Sequence, residues 1–269
     1  MKPDAAVIEG TDTDGVNVPA ADASCLNRIR VVLHRPSHPG NIGAAARAMK
    51  TMGRSRLVLV EPRRFPDREA DALAVNAVDV LARVRVCGSL KEALEGAVVA
   101  FAFSARGRDL SHTPQDVRAA ASEAIALADT SEVALVFGNE TAGLANEDVL
   151  LCNRLATIPT VSDFSSLNLA AAVQVAAYEI RMALGAPAAV AEAGVELASI
   201  EQVEHFYAHL ETSLGQTDFL EPGKPKRMME RMRRLFGRAK LQREEVNILR
   251  GMLTAWDRAV GGNKGRQKS

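Results

Sequence analysis

Three short stretches combine small, backbone-exposing residues with polar groups suited to chemistry. Asn41-Ile-Gly43 is followed by Arg47, Gly138-Asn-Glu140 is followed by Gly143, and Ser165-Ser166-Leu167-Asn168 opens an Ala-rich run. Loops of glycine, serine and asparagine present backbone N–H and C=O groups to the adenine and ribose of a nucleoside, and an arginine can grip a phosphate through two parallel hydrogen bonds. Absences narrow the chemistry further. Gly40-Asn-Ile-Gly43 is not the G-x-G-x-x-G of a dinucleotide site. Gly138 and Gly143 have the glycine spacing of a phosphate-binding loop, but Leu144 stands where its lysine is needed. There is no G-x-S-x-G nucleophile elbow, and no His, Cys or Glu spacing suggests a catalytic metal. A reaction that needs neither metal nor covalent nucleophile fits better. Methyl transfer from a sulfonium to a hydroxyl is one: the donor is already electrophilic, so the protein must align the reactants and help remove a proton.

The elements around these stretches alternate. Short apolar runs at 29–33, 56–60, 84–86, 97–103, 133–137 and 156–158 read as strands. Helices are expected at 44–52, 67–82, from Ser89, at 114–128 with Pro114 in the first turn, at 146–152 and at 166–184. Ser89-Leu-Lys-Glu92 has the capping-box pattern, and Gly53 stops the helix before it. Alternation of this kind implies a mostly parallel α/β sheet covered on both faces, with ligands in the loops at the carboxyl ends of strands. Those are the loops after Leu33, Phe103, Phe137 and Ile158. Three further helical stretches, near 200–214, 226–239 and 243–260, have few β-formers and read as a small all-α extension. The expected organisation is a disordered leader at 1–25, an α/β domain at 26–185, a linker at 186–199, the helical extension at 200–260 and a basic disordered tail at 261–269.

The 269 residues carry 33 basic and 33 acidic side chains, a neutral total that hides patches. Residues 1–24 hold five acids against Lys2, whereas residues 223–243 hold nine bases against Glu230. The basic run suits a polyanion, or is a solvated helix face. Aromatic residues are 4% of the chain, so base stacking is not expected to dominate recognition. Cys25, Cys87 and Cys152 fit neither a zinc site nor a disulfide framework, and an odd, sparse count suggests a reducing compartment. With no signal-peptide pattern and no apolar run long enough to span a bilayer, a cytoplasmic protein without a membrane partner is expected.

Taken in order, Asn41-Ile-Gly-Ala-Ala-Ala-Arg47, Leu135-Val-Phe-Gly138-Asn-Glu140-Thr-Ala-Gly143-Leu and Ile158-Pro-Thr-Val-Ser-Asp-Phe-Ser165-Ser166-Leu167-Asn168 resemble the three motifs of the SPOUT-class (SpoU-like) RNA 2′-O-methyltransferases. Ser104-Ala-Arg106, Ala172-Val-Gln-Val-Ala-Ala-Tyr-Glu-Ile-Arg-Met, Phe206-Tyr-Ala-His-Leu-Glu and Glu245-Val-Asn-Ile-Leu-Arg-Gly bring the likeness closer to the TrmJ-type tRNA methyltransferases. It runs from about 28 to 258. The resemblance implies an α/β fold with a deep C-terminal trefoil knot, a homodimer, S-adenosylmethionine as donor without a metal, and the ribose of tRNA anticodon-loop nucleotide 32 as acceptor, whether cytidine or uridine.

The resemblance also implies roles. Arg47 matches the catalytic arginine; its high pKa favours phosphate positioning and charge stabilisation over simple proton abstraction. Asn41 either orients the acceptor or caps its helix, and Ser166 and Asn168 either serve the site or cap theirs. Phe103, Ser104, Ala105, Gly138, Ile158, Ser165, Ser166 and Leu167 match the donor pocket. Glu140 either fixes its loop or faces the substrate. Arg106, Lys226, Arg227, Arg231, Arg233 and Arg234 become candidate RNA contacts, with Lys224 and Arg238 beside them. Asn139 is a departure, since TrmJ-type relatives often carry arginine there. Three rivals remain: a SPOUT enzyme acting on another tRNA or rRNA ribose, a nicotinamide-dependent oxidoreductase, and a non-catalytic RNA-binding relative.

Overall fold

The structure is a computed structural model that describes residues 25–105, 113–184, 196–217, 219–220 and 227–266; for 261–266 it describes the backbone alone. All but Cys25 of the expected leader and most of the expected linker lie outside the described residues, as do Arg106, Lys224 and Lys226; Cys25 is buried in the core, so the α/β domain takes in one residue before the expected boundary. Seven strands form one sheet in the order β3-β2-β1-β6-β4-β7-β5. They are β1 (Ile29–His34), β2 (Leu57–Val60), β3 (Arg85–Cys87), β4 (Ala97–Phe103), β5 (Pro114–Asp116), β6 (Glu132–Phe137) and β7 (Arg154–Thr157). Every pairing between them is parallel. β1 and β2 are buried along their whole length and lack polar alternation, as strands covered on both faces must.

On one face lie α1 (Pro39–Thr51), α2 (Arg68–Ala74), α3 (Val78–Ala82), α5 (Val117–Ala128) and α7 (Leu169–Ala183); the other carries α4 (Leu90–Ala93) and α6 (Asn146–Leu151). Alanines let the first layer pack closely. Gly43 marks the tightest point, where a β-carbon would stand 2.0 Å from the Ala70 carbonyl oxygen of α2. Gly53 adopts φ +76° just beyond α1, which supports its reading as the helix stop.

Four local expectations are corrected. Pro114 does not open a helix: Pro114–Asp116 is the edge strand β5, where a proline's missing N–H costs no ladder bond. Asp116 then caps α5 by accepting from the Ala119 N–H. α1 begins at Pro39 rather than Ala44, because a proline at the first helical position has no N–H to satisfy. The stretch expected as one helix over 67–82 is broken by a 3₁₀ turn at Val75–Ala77, entered through Val75 at φ +52°. The Ser89 hydroxyl accepts from the Glu92 N–H as expected, but the Glu92 carboxylate reaches the Gly88 N–H instead of completing the box.

Three helices follow: α8 (Ile200–Gln216), α9 (Met228–Ala239) and α10 (Arg243–Arg266). α10 runs past residue 260 into the stretch expected as a tail. These helices enclose a separate core in which Phe206, Tyr207, Leu210 and Leu253 meet Met228, Met232 and Phe236. Ile200 instead packs into the second face of the sheet.

Candidate functional site

β1, β6, β4 and β7 are consecutive in the sheet, so the loops at their carboxyl ends converge at one edge. Three of them, after β4, β6 and β7, frame a cleft of about 250 Å³. Phe103, Ser104, Ala105, Gly138, Ile158, Ser165, Ser166 and Leu167 all line it. Phe137, Leu144 and Ala172, not assigned to the donor pocket from sequence, line it as well. Phe137 stacks on Phe103 with ring centroids 4.4 Å apart, giving the cleft an apolar floor. The signal for Phe137 was its place as the last strand residue before Gly138.

Gly138 is required by space. A β-carbon there would lie 2.2 Å from the Gly143 carbonyl carbon and 2.3 Å from the Leu144 nitrogen. Gly143, at φ +68°, closes the same loop, and its N–H bonds the Asn139 carbonyl at 2.8 Å. The Asn139 side chain holds the turn together: its oxygen accepts from the Thr141 N–H at 2.8 Å and its amide donates to the Arg35 carbonyl at 2.8 Å.

Side chains tie the three motifs to one another. Glu140 accepts from the Ser37 N–H (2.8 Å), the Ser37 hydroxyl (2.6 Å), the His38 N–H (3.2 Å) and the Asn41 amide (2.9 Å). Burial works against its charge, but these bonds from Asn41 and Ser37 prevail and hold the carboxyl down at about 2. Glu140 therefore fixes the loop before α1. The Asn41 side-chain oxygen Oδ1 accepts from the Asn168 side-chain amide at 3.0 Å, and the Asn168 Oδ1 caps α7 at the Ala170 N–H. Asn41 does not cap α1, whose N-cap His38 makes no side-chain bond. Ser166 does not cap α7 either; it is exposed on the cleft wall.

Arg47 is not brought into the cleft. It lies about 9 Å along α1 from Asn41, exposed on the outward stripe that also carries Ala44 and Lys50. Among the described residues it makes no ion pair. The basic run divides. Arg231 and Arg238 are exposed on α9. Arg227 is exposed but pairs with Glu230 at 2.9 Å, and Arg234 is half-buried. Arg233 is a correction: it turns inward, paired with Glu204 and stacked 4.5 Å over the Tyr207 ring, and is not open to a phosphate. Its spacing from Met229 and Phe236 puts it on the apolar face of α9, a signal the charge count overlooked.

A second, much smaller cavity, about 40 Å³, lies between the sheet and the extension. Glu123 of α5 accepts there from Arg154 and Lys240, both at 3.1 Å, and Arg154 also donates to the Gly237 carbonyl of α9 at 3.2 Å. No helix among the described residues is long and apolar enough to cross a membrane.

Comparison with known proteins agrees with this geometry. The model of the SpoU rRNA Methylase family matches residues 28–178, and that of the TrmJ C-terminal domain matches residues 201–265. A tRNA (cytidine/uridine/adenosine-2′-O-)-methyltransferase TrmJ from Pseudomonas aeruginosa is 47% identical over 248 residues, 88% of this chain and 96% of that protein. The tRNA (cytidine/uridine-2′-O-)-methyltransferase TrmJ of Escherichia coli K12 is 42% identical over 89% of this chain and 99% of its own. The crystal structure of TrmJ from Z. mobilis ZM4 superimposes with a TM-score of 0.74 at 31% identity, covering 85% of this chain and 98% of that one. The chain therefore belongs to the SpoU methylase family, in its TrmJ branch.

Proposed function

We propose that this protein transfers the methyl group of S-adenosylmethionine to a ribose 2′-hydroxyl of tRNA, at anticodon-loop nucleotide 32. The observation that carries the reading is the convergence of the three motif loops on one cleft, held in register by the Glu140–Asn41–Asn168 chain of hydrogen bonds. The cleft suits the donor. Its walls are glycine and serine backbone, shaped by a loop too tight for a side chain at 138, and its floor is apolar. When bound, the donor supplies an electrophilic methyl group.

The chain's own residues supply the rest. Phe103, Ser104, Ala105, Gly138, Ile158, Ser165 and Leu167 hold the donor. Asn41 is a positioning residue that fixes the wall carrying Ser166, which meets the acceptor. Arg47 grips the phosphate beside the target ribose and stabilises the oxygen as it loses its proton. Arg231 and Arg238, with Arg106 and Lys226, extend the grip on the RNA backbone. The α/β unit carries the deep trefoil knot of its class around the β7–α7 loop. The protein is a cytoplasmic homodimer; exposed Leu73, Val75 and Val78 beside α1 and exposed Tyr178 and Met182 on α7 support a second copy seated near Arg47.

Transfer of labelled methyl from S-adenosylmethionine to bulk tRNA, with the product mapped for 2′-O-methyl nucleotides, tests this. Arg47→Ala is expected to lower kcat by about 10²–10³-fold with S-adenosylhomocysteine binding unchanged. Methylation mapped outside the anticodon loop would overturn the target, and donor binding without transfer to any RNA would overturn the reaction.

A further inference from the structure

The loop that joins β7 to α7 returns to the cleft after leaving it. Ile158 and Ser165 both line the cleft, whereas every residue from 159 to 164 is exposed. That excursion is therefore the rim. It carries two large apolar side chains in water, Val161 at 70% and Phe164 at 78% exposure. Phe164 is the most exposed aromatic among the described residues, and it stands one residue from the cleft wall.

The local structure holds it there. The Phe164 N–H bonds the Val161 carbonyl at 3.3 Å, Thr160 donates to the Ser165 carbonyl at 3.5 Å, and Ser162 donates to Asp163 at 3.0 Å. Downstream, Asn168 is bonded both to Asn41 and to the first turn of α7. The ring is thus projected from a closed turn anchored at both ends. An apolar side chain displayed at a functional mouth marks an interaction.

We infer that Phe164 is a substrate-positioning aromatic on which the base of the target nucleotide stacks. This rests on the ribose methylation proposed above. A ribose whose 2′-hydroxyl enters the cleft must leave its base near the rim, because the two are joined by one bond. Bases taken from single-stranded loops are commonly held by stacking on aromatic rings. Every base has a π-face, so such a contact orients the nucleotide without choosing between cytidine and uridine. One ring at the right place is enough, which reconciles the role with a chain of few aromatics.

The test compares wild type with Phe164→Ala, Phe164→Leu and Phe164→Trp on an anticodon stem-loop RNA, and on the same RNA with a ribo-abasic residue at the target. Wild-type transfer to the intact RNA checks the underlying reading separately. The expected result is a fall in kcat/KM of roughly 5- to 150-fold for the Ala and Leu variants, full or improved activity for Trp, and unchanged S-adenosylhomocysteine binding. Removing the base should cost wild type a similar factor and cost Phe164→Ala almost nothing more, as expected of two groups that act through each other. An active Leu variant, or equal abasic losses in wild type and Phe164→Ala, overturns the stacking role. Conversion of Phe164→Ala to a smaller oligomer, read by light scattering, overturns it in favour of a second copy covering the ring.

Discussion

The α/β unit and the helical extension solve different problems with different materials. The first is built from alanines, valines and leucines; its buried helix faces approach so closely that Gly43 cannot carry a side chain, and the loop after β6 folds so tightly that Gly138 cannot either. The second is held by large, adaptable groups: Phe206 meets Phe236 edge-on at 4.9 Å, methionines fill around them, and Arg233 stacks on Tyr207. Small residues fix backbone positions tightly, which a cleft lined by backbone groups demands. Large side chains on a helix fix a direction more than a position, which is enough to aim a charged face such as that of α9.

The sharpest break in that contrast is expected at Gly138. Gly138→Ala should cost about 1–3 kcal/mol of stability through overpacking and abolish the rise in Tm given by S-adenosylhomocysteine, because the added carbon meets backbone rather than a flexible side chain. A retained ligand shift would show that the loop yields more easily than its contacts imply. Next is Arg233→Ala, which strands a half-buried Glu204 and should remove about 2 kcal/mol, read as earlier urea unfolding with donor affinity intact. Loss of donor affinity would mean that the two regions share more than a boundary.

A smaller effect is expected at Glu140. Its carboxyl lies at about 2 in the folded protein against an ordinary value of 4.5. A depressed folded pKa gives stabilisation that is complete above about pH 4.5 and lost as pH falls toward 2. Glu140→Gln should therefore destabilise at about pH 7 and by distinctly less at about pH 3, with both measured by urea unfolding. An equal gap at both pH values would assign the effect to shape instead of charge. Smallest in stability are Arg231→Ala and Arg238→Ala, each within about 0.5 kcal/mol. Each should instead reduce the slope of log affinity against log salt by about 1 for tRNA; an unchanged slope would remove that arginine from the RNA face.

The sequence was most readable where local pattern and tertiary demand coincide. Continuous apolar runs marked strands buried on both faces, and the glycines and serines lining the cleft stood next to strand ends. Less readable were features decided at a distance. Pro114 reads as a helix start until a neighbouring strand, β7, offers it an edge. The break at Val75–Ala77 sits in a run with helical periodicity. Asn41 reads equally well as a cap, and the partners that hold its side chain lie 99 and 127 residues away. Arg233 was misplaced by counting charge without asking which face of the helix it occupies.

Cys25, Cys87 and Cys152 are all buried, and burial pushes the thiols of Cys87 and Cys152 up. The thiolate is the reactive form, so none of the three presents a ready nucleophile to solvent. The molecule is in effect chemically quiet toward maleimides. A single cysteine introduced by Ala239→Cys at the exposed end of α9 could then carry a fluorophore with the native cysteines left in place, so that any arrival of RNA at the extension is read in real time from one dye.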